Sequence, residues 1–199
     1  MSRVPRRGFA SVACVLVLSG AVQGVRLASG LAPGTELMYE SNGQSQAPWR
    51  VDSLRTGLPL RKGSDCVDLQ LRRAGQDAPD LQRLCLAADT LYRWMPARRD
   101  WAVSRPVGRR MTWLSRQGNG NIVRYETGEM ASERISGRSI AVIHTTITTT
   151  DSTGRPLRRL TERFAPALVT ATGGVFEAPD STAEGGWRRL QSFEPRSIR

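Results

Sequence analysis

Histidine, lysine and long apolar runs are all scarce in this chain of 199 residues. It has one histidine (His144), one lysine (Lys62) and three cysteines (Cys14, Cys66 and Cys85). A zinc centre needs three or four Cys, His or carboxylate ligands; with one histidine and so few thiols, neither a metal nor a cofactor is expected. A Ser/His/Asp hydrolase would need His144 as its base, but there is no Gly-x-Ser-x-Gly elbow and His144 falls inside a strand pattern. Lys62, in Arg61-Lys62-Gly63-Ser64, does not sit at the spacing of a serine–lysine catalyst. Gly118-Asn119-Gly120 lacks the helix and lysine that would make it a phosphate loop. Asp65 and Asp68 are three apart and take opposite faces of a strand, so they form no acid/base pair. The chain is therefore read as a non-enzyme.

The one short apolar run lies at the start. Arg3, Arg6 and Arg7 precede residues 9–18 (FASVACVLVL), and Ser19-Gly20-Ala21 follows, which is the layout of a signal peptide. The run is about half of the roughly 20 residues a membrane-spanning helix needs. A signal over 1–21 is expected, with an uncleaved anchor as the alternative and lipidation of Cys14 as a poorer fit. The mature chain would begin near Val22 with a flexible leader over 22–34 and one domain over 35–199, exported to the periplasm or cell envelope.

Export gives the remaining cysteines a meaning. Once Cys14 leaves with the signal, Cys66 and Cys85 are an even pair in an oxidising compartment. Residues 66–73 (CVDLQLRR) alternate as a strand, 75–80 form a loop and 81–87 return, so a disulfide between the two arms is expected. A competing pattern caps a helix at Asp80, with Leu81, Leu84, Ala88 and Leu91 along one stripe.

Removing Arg3, Arg6 and Arg7 from the 29 basic residues leaves 26 against 18 acids, a mature charge of +8. Nearly all the basic residues are arginines, and they are scattered rather than blocked. That argues against nucleic acid and leaves an anionic membrane surface as a possible partner.

What the chain has in abundance is strand pattern and turn chemistry. Residues 139–150 (SIAVIHTTITTT) are almost wholly β-branched. They are followed by the turn Asp151-Ser152-Thr153-Gly154 and the arm 156–164 (PLRRLTERF). A three-residue loop with Gly154 in a bulge position would set Ile147 opposite Arg159, Val142 opposite Phe164 and His144 opposite Glu162. Further strands are expected over 35–41, 49–54, 66–73, 81–87, 90–95, 101–104, 111–116, 122–127, 175–178 and 187–193, and 167–172 is a short strand or helical turn broken by Gly173-Gly174. The fold class is mainly β, with little helix: a curved antiparallel sheet forming a partial barrel or sandwich.

Several segments together have the texture of a known group. These are Tyr125-Glu126-Thr127-Gly128, Ile135-Ser136-Gly137-Arg138, the strand 143–149, Asp151–Gly154, Glu162-Arg163-Phe164-Ala165-Pro166 and Gly174-Val175-Phe176. Over roughly 111–193 the chain resembles exported bacterial domains of unknown function that share a curved antiparallel sheet with lipoprotein-carrier proteins. The resemblance implies a sheet wrapped around an apolar cavity that holds acyl chains, with no chemically reactive residue. This chain departs from the pattern in having no long helix to plug the concave face.

The tryptophans suggest where a ligand would sit. Core packing is the usual role of each, but Trp49, Trp94, Trp101 and Trp113 with Met111 could line an apolar cavity, with Arg93 and Arg109 at its mouth. A lipid or lipoprotein is the expected partner. An envelope protein bound through a basic surface or a strand edge, with no small ligand, is the alternative.

Overall fold

The computed structural model describes residues 26–58, 60 and 63–199. The expected signal, Cys14 and Lys62 lie outside the described residues. The first half of the chain folds as β1 (Glu36–Ser41), β2 (Gln44–Ser45), β3 (Trp49–Arg55), β4 (Asp65–Arg73), β5 (Asp80–Ala87), β6 (Thr90–Met95) and β7 (Asp100–Pro106). The second half gives β8 (Thr112–Arg116), β9 (Ile122–Ile135), β10 (Arg138–Thr150), β11 (Pro156–Ala165), β12 (Thr170–Pro179) and β13 (Trp187–Ile198). Among the described residues the only helix is one 3-10 turn, Glu184–Gly186.

All these strands join one antiparallel sheet in the order β7-β6-β5-β4-β3-β1-β13-β12-β11-β10-β9-β8, with β2 attached to β1. Two up-and-down meanders are thus joined by the β1–β13 ladder, where Leu37 lies opposite Ile198 and Ser41 opposite Phe193. The free ends are β7 and β8, consecutive in sequence but sharing no ladder. The sheet rolls until these ends come near each other, a barrel with one open seam. Thr127 of β9 fixes the 107–111 connector at that seam: its Oγ1 donates to the Gly108 carbonyl at 2.6 Å and accepts from the Met111 amide at 2.7 Å.

The core draws on both meanders: Val51, Val67, Leu69, Leu84 and Leu91 from the first, Val142, Ile143 and Phe164 from the second. Part of the segment expected as a flexible leader packs into it, through Leu27, Ala28 and Leu31. Leu27 and Ala28 are 2% and 1% exposed, the Ala28 amide donates to the Pro166 carbonyl at 3.1 Å, and that of Gly30 to Ala167 at 2.9 Å. Their apolar side chains cover a core edge that the sheet alone leaves open to water.

The cysteine arms are strands, as one of the two patterns has it. Cys66 and Cys85 are directly opposed in the β4–β5 ladder and joined by a disulfide. Two pairs along, on the same face, Arg83 reaches Asp68 with two of its guanidinium nitrogens, at 2.8 and 3.1 Å.

The central hairpin has the expected turn but not the expected register. Gly154 sits at φ 88, and the Asp151 amide donates to the Arg155 carbonyl at 2.9 Å. Thr150 opposes Pro156 as the three-residue loop requires, but a bulge then shifts the ladder by one residue. Ile147 faces Leu160, Ile143 faces Phe164, and Glu162 lies opposite Thr145 rather than His144. The physical reason is the composition of β11. The expected register would set Ile147 and Ile143 against Arg159 and Arg163, whereas the bulge beside Pro156, which has no N–H for the ladder, turns Leu160 and Phe164 to the core.

Two boundaries also differ. Residues 122–135 form a single strand bent where His144 is left out of the β9–β10 ladder. Gly173-Gly174 does not break β12 but lies inside it. A Cβ on Gly174 would stand 2.7 Å from the Thr161 carbonyl and 2.9 Å from the Phe193 ring, so glycine is what lets strand and ring approach.

Two outcomes follow from this geometry. Replacing both Cys66 and Cys85 with alanine will lower the unfolding free energy in urea by about 3 kcal/mol, the chain-entropy value for a loop of this size. Asp151 accepts from Thr153 Oγ1 at 2.6 Å, the Thr153 amide at 2.9 Å and the Arg155 amide at 3.0 Å, which hold its carboxyl down at about 2. Its contribution is complete above the ordinary carboxylate range near 3.8 and is lost as pH falls toward 2. A carbon-detected NMR titration will place the Asp151 midpoint there, and a midpoint near 4 would contradict the turn.

Candidate functional site

The concave face of the rolled sheet is the natural place for a ligand, and much of it is already filled. Val51, Val67 and Val142 have no exposed surface, and Ile143 is 1% exposed. Across this packed middle, Arg105 of β7 pairs with Glu162 of β11, which is 4% exposed. The guanidinium also lies 4.4 Å from the centre of the Phe164 ring. A carboxylate this deep needs a partner to offset its lost hydration, and only the rolling of β7 toward β11 supplies one.

Two openings flank the packed region. The first has a volume of about 230 Å³ and is lined by Leu37 and Tyr39 of β1, Trp49 of β3, Leu71 of β4, Gln82 of β5, and Val169 and Thr170 at the start of β12. Its lining is apolar and aromatic with three neutral polar groups. The Tyr39 hydroxyl donates to Thr170 Oγ1 at 3.0 Å. Burial pushes the Tyr39 phenol above its usual range, with the Thr170 hydrogen bond acting against that shift, so the phenol is neutral at physiological pH. Gln82 donates through Nε2 to Asp80 at 2.8 Å, which orients its amide.

The second opening, about 180 Å³, lies over the row Tyr125–Ile147–Leu160–Phe176 that crosses four neighbouring strands. Trp113 packs on Tyr125 at 5.0 Å between ring centres, and Arg158 stands at the rim, its Nε 3.4 Å from Thr149 Oγ1. Burial is also the largest influence raising the Tyr125 phenol, with the Arg105 charge opposing it. Pockets for whole drug-sized ligands run to about 300–1,000 Å³, so each opening fits one short chain or ring rather than an entire lipid.

The expected site residues are dispersed. Trp49 lines the first opening and, among the described residues, is the only tryptophan packed against the main core. Trp113 belongs to the second half of the sheet. Trp94 and Trp101 face each other across β6–β7 and, by alternation with the buried Leu91, point away from the core. Met111 lies in the seam connector, its Sδ occupying the space a side chain on Gly108 would take. Arg93 and Arg109 are exposed, and neither lines one of these two openings. Tyr39, Gln82 and Thr170 were not anticipated. Tyr39 sits in the alternating TELMYES segment, but its partner Thr170 is 131 residues away, and no local pattern announces that contact.

His144 is exposed and opposite Arg163, not Glu162. Among the described residues no group of three or more His, Cys, Asp or Glu is placed to hold a metal ion, and no helix is long and apolar enough to cross a membrane.

No protein-family model matches the chain, and no curated protein matches its sequence. Two solved structures are similar to it in fold. One is a candidate exported protein with a YmcC-like fold from Bacteroides fragilis, with 8% identity and a TM-score of 0.47 over 87% of this chain and 99% of that one. The other is a candidate lipoprotein from Parabacteroides distasonis, with 9% identity and a TM-score of 0.48 over 89% of this chain and all of that one.

The Arg105–Glu162 pair can be tested directly. Arg105→Met will destabilise by about 3 kcal/mol because it strands a buried carboxylate, while Arg105→Met with Glu162→Leu will recover most of that loss. Thermal melts of the two variants distinguish this from a surface pair, for which both changes would lie within about 1 kcal/mol of the parent.

Proposed function

We propose that this chain is an exported, non-catalytic binding protein of the periplasm or cell envelope, which holds the apolar part of a small ligand in the concave face of its sheet. One observation carries the reading: the 230 Å³ opening where Trp49, Leu37 and Leu71 face the Tyr39–Thr170 hydrogen bond. An apolar wall with a few converging polar groups is the usual make-up of a ligand site.

The polar groups there are a phenol, a hydroxyl and an amide, and no charged side chain lines the space. A charged head group would lose its hydration without gaining a counter-ion. The occupant is therefore an acyl or prenyl end, or a ring, carrying a neutral hydroxyl, ester or amide.

Isothermal titration with 1-decanol, a neutral probe of this chemistry, will show binding at one site per chain. Leu71→Trp fills the opening and will abolish the heat while leaving the fold intact by circular dichroism. Tyr39→Phe, which removes the hydroxyl, will weaken binding about tenfold, near the upper end of what a single neutral hydrogen bond contributes. Equal binding by the parent and Leu71→Trp would reject the opening as the site.

A further inference from the structure

We propose that the β6–β7 hairpin docks the protein on an anionic phospholipid surface. The hairpin ends the sheet, since β7 pairs with β6 on one side and has no ladder on the other. Its outer face is aromatic. Trp94 and Trp101 meet edge to face, 5.5 Å between ring centres and 67° between planes. Tyr92 and Val103 form the next cross-strand pair on the same face, and Val103 is 40% exposed. None of these four packs against the main core, which receives the opposite face through Leu91.

The turn adds cations. Residues 96–99 are exposed, and the Arg98 and Arg99 amides donate to the Met95 and Pro96 carbonyls at 3.0 and 3.2 Å, holding the tip in one shape. Arg98 and Arg99 are exposed, and among the described residues neither enters an ion pair. The one acid at the tip, Asp100, accepts from the Trp101 amide at 2.7 Å. Two arginines against one aspartate give the turn a net charge of +1; Arg93, opposite Leu84 in the β5–β6 ladder, lies on the other face.

Tryptophan and tyrosine rings partition to the head-group level of a bilayer, where their apolar bodies and polar N–H or O–H groups are both satisfied. Arginine at the same level meets lipid phosphates with a planar fork of donors. The paired rings are already ordered, so little side-chain freedom is lost on docking. The inference uses the outer face only and does not depend on the ligand proposed for the inner one.

Flotation of the full chain with phosphatidylcholine vesicles, with and without phosphatidylglycerol, tests it. Binding is expected only with phosphatidylglycerol, with a blue shift in tryptophan emission, and is expected to fall as salt rises. Arg98→Glu with Arg99→Glu, both at an exposed turn, will weaken partitioning by more than about 30-fold, the value for merely neutralising two arginines. Trp94→Phe with Trp101→Phe will remove most of the blue shift. Failure to float with the anionic vesicles, or undiminished binding by the Arg98→Glu, Arg99→Glu variant, overturns the proposal.

Discussion

The structure depends on one ladder, that between β1 and β13. Each meander alone is an open sheet with an apolar face in water. The pairing of Leu37 with Ile198 and its neighbours, extended by the reciprocal Glu36–Arg199 backbone bonds at 2.9 and 3.1 Å, makes them one continuous surface. With that surface rolled, the inner faces bury each other. Tyr39 can then reach Thr170, and Arg105 can reach Glu162. Each of these contacts joins residues far apart in sequence, so the cavity and the buried ion pair are consequences of closure rather than of any local motif.

Closure is complete everywhere except between β7 and β8, and this asymmetry separates two kinds of surface. Inside, the lining of the Trp49 opening is neutral and apolar, matched to a ligand that sheds water. Outside, at the sheet's free end, half-buried aromatic rings stand beside the exposed Arg98 and Arg99. On the far half of the sheet two outer-face arginines are held: Arg159 pairs with Glu177 and covers Trp187, and Arg163 pairs with Glu133 and Glu194. What sets the β6–β7 hairpin apart is the edge-to-face pair of Trp94 and Trp101 beside an exposed arginine turn at the free end of the sheet.

Much of the fold was legible because strands announce themselves by alternation and turns by glycine, asparagine and aspartate. The antiparallel class, the Asp151–Gly154 turn and the opposition of Cys66 to Cys85 all rest on such short-range signals. What failed needed information from the third dimension. The register of β10 on β11 was fixed by which side of β11 could face a core, a matter settled by Leu160 and Phe164 through a bulge beside Pro156. Gly173-Gly174 looked like a break but marks the crowding of Phe193 and Arg163 over a continuous strand. The tryptophans share chemistry, yet strand parity sends Trp49 inward and Trp94 and Trp101 outward. Of these tryptophans Trp49 alone lines the first opening, and of its polar groups Tyr39 and Gln82 come from nearby strands while Thr170 comes from the other half of the sheet.

The most direct test of this account is amide hydrogen exchange at the central ladder and at the free ends of the sheet order. The β1 amides from Leu37 to Ser41 that pair with β13 are predicted to exchange only through global unfolding, and the β7 amides on the side away from β6 to exchange much faster. Fast exchange in β1 would mean that the meanders are not joined. Uniform protection of β7 and β8 would mean that the seam is closed. Either result would contradict a single rolled sheet with one open edge.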